Sequence, residues 1–224
     1  MRVLRGREAD VEADRERTAA LFERARERRE PAVRVWRPPR QVVFGRRDAH
    51  EDGYDEAVAA ARAREFPAVE RETGGRAVAY TGTTVAFCRF EPVDDEREGV
   101  HDRFERMADD VLAALGRLEV DASPGEPEAS FCPGSHSLQA DGKLVGLAQR
   151  IGGGVALTAG QLVVADRAAI ASVLDPVYEA LGVPFDPASV GSVEAAGGVT
   201  DPETVLASVE RELVGDAEVE PAYV

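Results

Sequence analysis

Apolar and polar residues repeat with two different periods along this chain, and the points where the period changes mark its elements. The clearest helical spacing covers His101–Leu118. There Phe104, Met107, Ala108, Val111, Leu112 and Leu115 fall on one face, and Gly116 comes near the end. A more charged helix is predicted over Asp10–Arg29, with a thin apolar stripe of Ala19, Leu21 and Phe22, and Pro31 ends it. Tyr54–Arg64 predicts a third helix, which stops before Pro67. Ala32–Trp36 and Gln41–Phe44 read as short extended runs separated by the breaker Pro38-Pro39, and Val69–Tyr80 as strand, glycine turn and strand.

The second half begins with a polar loop, Ser123–Ala129, that leads into Ser130-Phe131-Cys132-Pro133-Gly134-Ser135. A β-hairpin follows: Ser137–Ala140, an Asp141-Gly142 turn, then Lys143–Arg150. Gly152-Gly153-Gly154 turns the chain into the strand Val155–Val164, and a short helix is expected over Ala168–Leu174. The tail from Pro176 predicts loops and one helix, Pro202–Val214, entered through Thr200-Asp201-Pro202-Glu203. It offers no legible chemistry. Helices and strands that do not alternate regularly point to an α+β fold, with a mixed, largely antiparallel central sheet flanked by helices.

Composition narrows the function classes. The 224 residues suffice for one large domain, and no apolar run approaches the roughly 20 residues needed to span a bilayer. Met1-Arg2-Val3-Leu4-Arg5 leads into charge rather than an apolar signal core, so a cytoplasmic protein without a membrane partner is expected. A formal net charge of −15 argues against a nucleic-acid partner, whose footprint would be basic. High acid content with almost no lysine suggests a halophilic, salt-adapted source. At about 1 M salt the Debye length is only about 3 Å, so such a surface would hardly repel another acidic protein.

Of the 27 basic residues, Lys143 alone is lysine. An ammonium is a compact point charge and a guanidinium a flat fork, so they differ as site chemistry. Lys143 reads either as a small cation beside an acyl carbonyl or phosphate oxygen, or as a solvated lysine left in a hairpin turn. Arg71-Glu72-Thr73-Gly74-Gly75-Arg76 reads either as a ligand-approaching glycine turn flanked by oxygen-binding groups or as an ordinary hairpin turn. Cys132, placed before Pro-Gly, can be exposed in a turn. A free thiol titrates near about 8.5, and a neighbouring cation would favour its nucleophilic thiolate. His136 is near enough in sequence to act as a base, or it points to solvent. Gly146 and Ala148 leave room on one strand face beside Lys143 or pack under a helix. Cys88, in the apolar run Thr84–Phe90, reads as buried filler. His50, His101 and His136 show no metal-ligand spacing, and no metal site is expected.

Taken in order, these segments resemble the biotin/lipoate protein ligase family. Arg71-Glu72-Thr73-Gly74-Gly75-Arg76-Ala77-Val78 is similar to the Arg-Arg-x-Ser-Gly-Gly-Gly-Ala-Val stretch of lipoate–protein ligases and octanoyl transferases. Gly142-Lys143-Leu144-Val145-Gly146-Leu147-Ala148-Gln149-Arg150 is similar to their Gly-Lys-Lys-Ile-x-Gly-x-Ala-Gln-Arg segment, and Val42-Val43-Phe44-Gly45-Arg46 to their early Val-Ser-Leu-Gly-Arg strand. The likeness runs from about residue 33 to 175. Phe131-Cys132-Pro133-Gly134-Ser135 resembles the element of the branch that carries octanoyl on a cysteine. The chain departs from the family at Arg76, where a third glycine is usual. It also lacks the His-Asp-x-Gly-Asn stretch, reading Ala79-Tyr80-Thr81-Gly82-Thr83-Thr84 instead. These departures weigh against adenylate binding more than against acyl binding. His136 stands where that branch is usually aromatic, so no role is carried onto it.

The resemblance implies a biotin/lipoate ligase-like catalytic domain over residues 1–224, with 176–224 a short C-terminal helical extension. It implies a protein acyltransferase that attaches octanoyl or lipoyl to a lysine of lipoyl domains of 2-oxoacid dehydrogenase E2 subunits. The glycine-cleavage H protein is the possible donor, and no cofactor is required. Cys132 would carry the acyl group as a thioester and Lys143 would steady its carbonyl oxygen. Arg71, Thr73, Gly74 and Gly75 would shape the donor site. One alternative is an ATP-dependent lipoate–protein ligase, using ATP and Mg²⁺, in which Lys143 meets an acyl-adenylate, Cys132 is incidental and a small partner protein replaces the accessory domain. Another is a non-catalytic acyl-binding relative.

Overall fold

In the computed structural model, which describes residues 1–224, Pro38-Pro39 separates two sheets rather than two strands of one sheet. The order is β1 (Arg2–Arg5), α1 (Val11–Arg28), β2 (Ala32–Trp36), β3 (Gln41–Phe44), α2 (Tyr54–Arg62), β4 (Ala68–Glu70), β5 (Val78–Tyr80), β6 (Val85–Pro92) and α3 (Val100–Arg117). The two-residue strands β7 (Ser123–Pro124) and β8 (Leu138–Gln139) follow, then β9 (Lys143–Gly152), β10 (Val155–Leu162), α4 (Arg167–Ala180), α5 (Pro202–Val214) and β11 (Glu220–Tyr223). The large sheet runs β11-β1-β2-β6-β10-β9-β8-β7. It is parallel across β11, β1 and β2 and antiparallel from β2 onward. The expected mixed, largely antiparallel sheet flanked by helices is therefore present.

Three apolar clusters hold these layers together. One face of the large sheet, with Val33, Val35 and Phe87, buries against Met107, Val111 and Leu115 of α3 and Val205, Val209 and Leu213 of α5. The small sheet β4-β3-β5 packs through Val42, Phe44 and Val78 against α2 and the Ile170, Val173, Leu174 and Val177 face of α4. On the other face of the large sheet, Leu21 and Ala25 of α1 meet Cys88, Phe90 and Val155. Burial of such side chains contributes about 1.5–3 kcal/mol each.

Several expectations change. Val69–Tyr80 is not a hairpin: β4 pairs parallel and β5 antiparallel with β3, which lies between them. Residues 71–77 are therefore a loop that crosses the end of β3. The short helix expected over Ala168–Leu174 runs on through Pro176 to Ala180. An interior proline costs about 3 kcal/mol, and burial of Ile170, Val173, Leu174, Val177 and Tyr178 outweighs it. Residues 176–224 hold the end of α4, α5 against α3 and β2, and the edge strand β11 paired with β1. Arg2–Arg5 forms a strand that its flanking charges hid. No helix is long and apolar enough to cross a membrane.

Candidate active site

Cys132 sits in the left-handed region, with φ of +43°, a conformation that costs an L residue about 1–2 kcal/mol. Two bonds to the small-sheet layer hold it there. Its backbone N–H donates to Tyr178 Oη at 2.6 Å, and that hydroxyl donates to the Ala77 carbonyl at 2.9 Å. Cys132 as a whole is 7% exposed, so it is enclosed rather than open in a surface turn. Arg71 Nη2 lies 3.5 Å from Sγ and donates to the Arg76 carbonyl at 3.0 Å. Gly75, at φ +93°, leaves room for this contact, because a Cβ there would stand 2.7 Å from Sγ and 2.8 Å from Arg71 Nη2. Gly45, in the Val-Val-Phe-Gly-Arg strand end, is required by the same loop, because a Cβ there would fall 2.0 Å from the Gly75 carbonyl oxygen. Two of the glycine-bearing motifs thus meet at one backbone crossing beside the sulfur.

Lys143 is fully buried, not a solvated turn residue. The Asp141-Gly142 turn before it has positive φ at both positions, +46° and +102°, as a tight hairpin requires. The tail then covers its backbone through the Lys143–Val190 bridge and the Gly191 N–H, which donates to the Lys143 carbonyl at 3.0 Å. Nζ donates to Glu126 Oε2 at 2.6 Å and to the Cys132 carbonyl oxygen at 2.7 Å. The lysine therefore grips the backbone of the cysteine loop, and one of its three N–H donors remains. Burial pulls the ammonium below its ordinary value, and the Glu126 hydrogen bond opposes this in part. Burial alone would raise the Glu126 carboxyl. Hydrogen bonds from Lys143 and Ser137 outweigh it and leave the group below its ordinary value. Glu126 also accepts the Gly134 N–H at 3.0 Å, so the Glu126–Lys143 pair fastens both ends of Cys132-Pro133-Gly134 to β9, the carboxylate at Gly134 and the ammonium at Cys132.

Where the three apolar clusters meet, they leave a cavity of about 590 Å³, within the 300–1,000 Å³ usual for small-molecule sites. Cys132, Arg71 and Thr73 line one end, Gly146 and Ala148 line the β9 wall, and Phe22 and Trp36 close over from α1 and β2. Gly74 and Gly75 shape the loop behind that lining, and Lys143 lies beneath Gly146, whose added Cβ would stand 3.7 Å from Lys143 Cε. Glu72 and Arg150 form an ion pair at the rim, with the guanidinium 5.3 Å from the Phe22 ring. Under the Trp36 side, buried Arg34 and Asp14 pair at 2.6 Å, and Trp36 Nε1 donates to Asp14 Oδ2 at 2.9 Å.

Some residues stand elsewhere than expected. Cys88 is buried but also lines the cavity, and burial pushes its thiol up to about 12. His136 stacks on Phe104 at 4.4 Å and is not part of the lining, so it offers the thiol no base. Arg76, at the usual glycine position, pairs with Asp48 and Glu51 and pins the 71–77 loop. Glu126, Tyr178 and Asp14 escaped sequence reasoning. Glu126 sat in a loop read only as polar, Tyr178 lay beyond a proline, and Asp14 was one acid among many. No cluster of His, Cys, Asp or Glu is arranged to hold a metal ion.

The cavity and loops can be set beside known proteins. An octanoyl-(GcvH):protein N-octanoyltransferase of Geobacillus kaustophilus is 30% identical over 149 residues, covering 66% of this chain and 53% of that protein. One of the same name from Exiguobacterium sibiricum is 33% identical over 132 residues, covering 56% and 46%. The chain thus spans about half the length of the curated relatives it matches. The crystal structure of a lipoate-protein ligase A bound with ATP superposes with a TM-score of 0.77 at 20% identity, covering 100% of this chain and 88% of that one, and so shares the fold. The family profile described as lipoyl protein ligase A/B catalytic domain matches residues 14–212, and the chain belongs to that family.

Proposed function

We propose that this chain is a protein octanoyl or lipoyl transferase that carries the acyl group on Cys132. The observation that carries this reading is the position of Sγ in the wall of an acyl-sized, largely apolar cavity, with Arg71 donating to it and a built scaffold holding its backbone. Octanoyl-transferase relatives support it.

In the first step the Cys132 sulfur attacks the acyl carbonyl of an octanoylated carrier. The C–S bond forms, the carrier's amine leaves, and the thiol proton goes to that amine. In the second, the ε-amine of a lysine on a lipoyl domain attacks the thioester, the C–N bond forms and the C–S bond breaks. The amine proton returns to sulfur. Arg71 stabilises negative charge on sulfur as the C–S bond breaks. The remaining N–H of Lys143 and nearby backbone N–H groups meet the developing oxyanion. Gly146 and Ala148 leave the cavity open for the chain, and Thr73, Gly74 and Gly75 form the turn at the donor side. The H protein of glycine cleavage is the donor this reading favours, a lipoyl domain of a 2-oxoacid dehydrogenase E2 subunit is the acceptor, and neither step uses ATP.

Intact mass spectrometry at high salt, with octanoylated H protein and no ATP, tests it. The expected result is an octanoyl adduct that hydroxylamine removes and that maps to Cys132. Transfer to a lipoyl domain that occurs solely with ATP, Mg²⁺ and free lipoate would make the protein a ligase and Cys132 incidental.

A further inference from the structure

One residue of the cavity wall is left without a partner on either side of its amide. Gln161, on β10, is 3% exposed, and both Nε2 and Oε1 are buried with no hydrogen bond. Of the lining residues, Arg71 also carries a buried unpaired atom, its Nε, but Gln161 alone leaves both a donor and an acceptor unmet. Buried amides are nearly always satisfied, and an unsatisfied one disfavours the folded state.

The strand register shows where this amide points. Gln161 pairs across β10 with Gly146 on β9 and with Ala86 on β6, and Ala159 pairs with Ala148 and Cys88. Successive residues alternate faces, so Gln161, Ala159, Gly146, Ala148 and Cys88 share the cavity face. Phe87 and Leu147, one residue along, enclose Gly160 on the other face. Directly opposite Gln161, Gly146 has no side chain, and a Cβ there would lie 3.9 Å from Lys143 Nζ. The amide therefore lies on the cavity face at the Lys143 end, just beneath the surface of the wall.

Most polar groups at that end are already engaged with the protein. Tyr178 Oη both accepts and donates, and Lys143 Nζ spends two of its three N–H donors on protein oxygens, leaving one for the substrate and no acceptor. We infer that Gln161 is a further polar contact of the acyl cavity, beside the remaining Lys143 N–H: its N–H donates to the carbonyl oxygen of the bound acyl group, and its Oε1 accepts from the attacking amine. This rests on the acyl-transfer reading above. A thioester meeting an amine presents one acceptor and one donor together, which matches the unmet pair on Gln161. Gln161 changes no bond; it orients the carbonyl and the incoming nitrogen.

Trp36 is the sole tryptophan and lines the same cavity, so its fluorescence reports occupancy directly. Octanamide, which carries both a carbonyl and N–H groups, is the probe. For Gln161→Leu, the expected results are a melting temperature equal to or above wild type and octanamide affinity weaker on the order of tenfold. Transfer from a preformed Cys132 thioester should slow by a similar factor. Gln161→Glu keeps the acceptor and loses the donor, so it should lose octanamide affinity and retain octylamine. A lower melting temperature or failure to fold in Gln161→Leu would show that the amide serves the protein itself and overturn the inference. Wild-type octanamide affinity in both variants would overturn it equally. Absence of a wild-type thioester would instead strike the transfer reading, and the octanamide titration reads the Gln161 contact without it.

Discussion

The two cysteines share one cavity wall and differ in almost everything else. Cys88 lies mid-strand on β6, paired on one side with Arg34 and on the other with Ala159, and burial pushes its thiol up to about 12. Cys132 lies in a loop at positive φ, with a guanidinium at its sulfur, a tyrosine at its N–H and a lysine at its carbonyl. The difference teaches that burial alone does not make a thiol a nucleophile or an inert filler. What decides is whether the surrounding hydrogen bonds are spent on the backbone, leaving the sulfur itself beside a charge and an open space.

Ways to break this contrast begin with the sulfur. Cys132→Ser should lower acyl transfer by at least about a thousandfold and abolish the hydroxylamine-sensitive adduct, read by mass spectrometry. In Cys88→Ala the adduct should still form. Asp14→Ala attacks the Cys88 side instead. It strands the buried Arg34 guanidinium and should cost about 3–5 kcal/mol of unfolding free energy, measured by urea titration, while Cys88 becomes open to iodoacetamide. Tyr178→Phe attacks the Cys132 side. Removing the hydroxyl leaves the Cys132 N–H and the Ala77 carbonyl unpaired, a loss of about 1–3 kcal/mol. Thioester formation should slow without change in Cys88 labelling.

The smallest effect concerns pH. The Glu126 carboxyl lies below its ordinary value of 4.5, so its ionised form stabilises the fold. That contribution is complete above 4.5 and is lost as pH falls through the depressed folded value. Glu126→Gln should therefore flatten the stability profile below pH 4.5, measured by melting temperature against pH. A profile matching wild type would show that Glu126 does not fasten the loop.

Legibility followed range. Ala32–Trp36 and Gln41–Phe44 appear as strands with the expected bounds, because β-branched runs between prolines carry local information. The α4 boundary failed because Pro176 is a local stop signal, and tertiary burial overrode it. Within the site, Cys132, Lys143 and Arg71 stood out as motif residues. Tyr178 reaches Cys132 across 46 positions and Lys143 holds Glu126 across 17, and no local pattern announces either bond. Gln161 was invisible for another reason: its distinction is a lack of partners, which requires the packed wall around it.

The edge of the large sheet has a kinetic consequence. Arg2 pairs with Glu220, and the Val224 N–H donates to the Arg5 carbonyl at 3.0 Å, so β1 has its outer neighbour only when the last residues are present. During synthesis at about 5–20 residues per second, β1 would leave the ribosome roughly ten seconds or more before β11. In that interval its outer edge is unpaired and open to another strand. Until β11 is made, that edge is a site for edge-to-edge association, and contacts this distant in sequence should make its closure a late event in refolding.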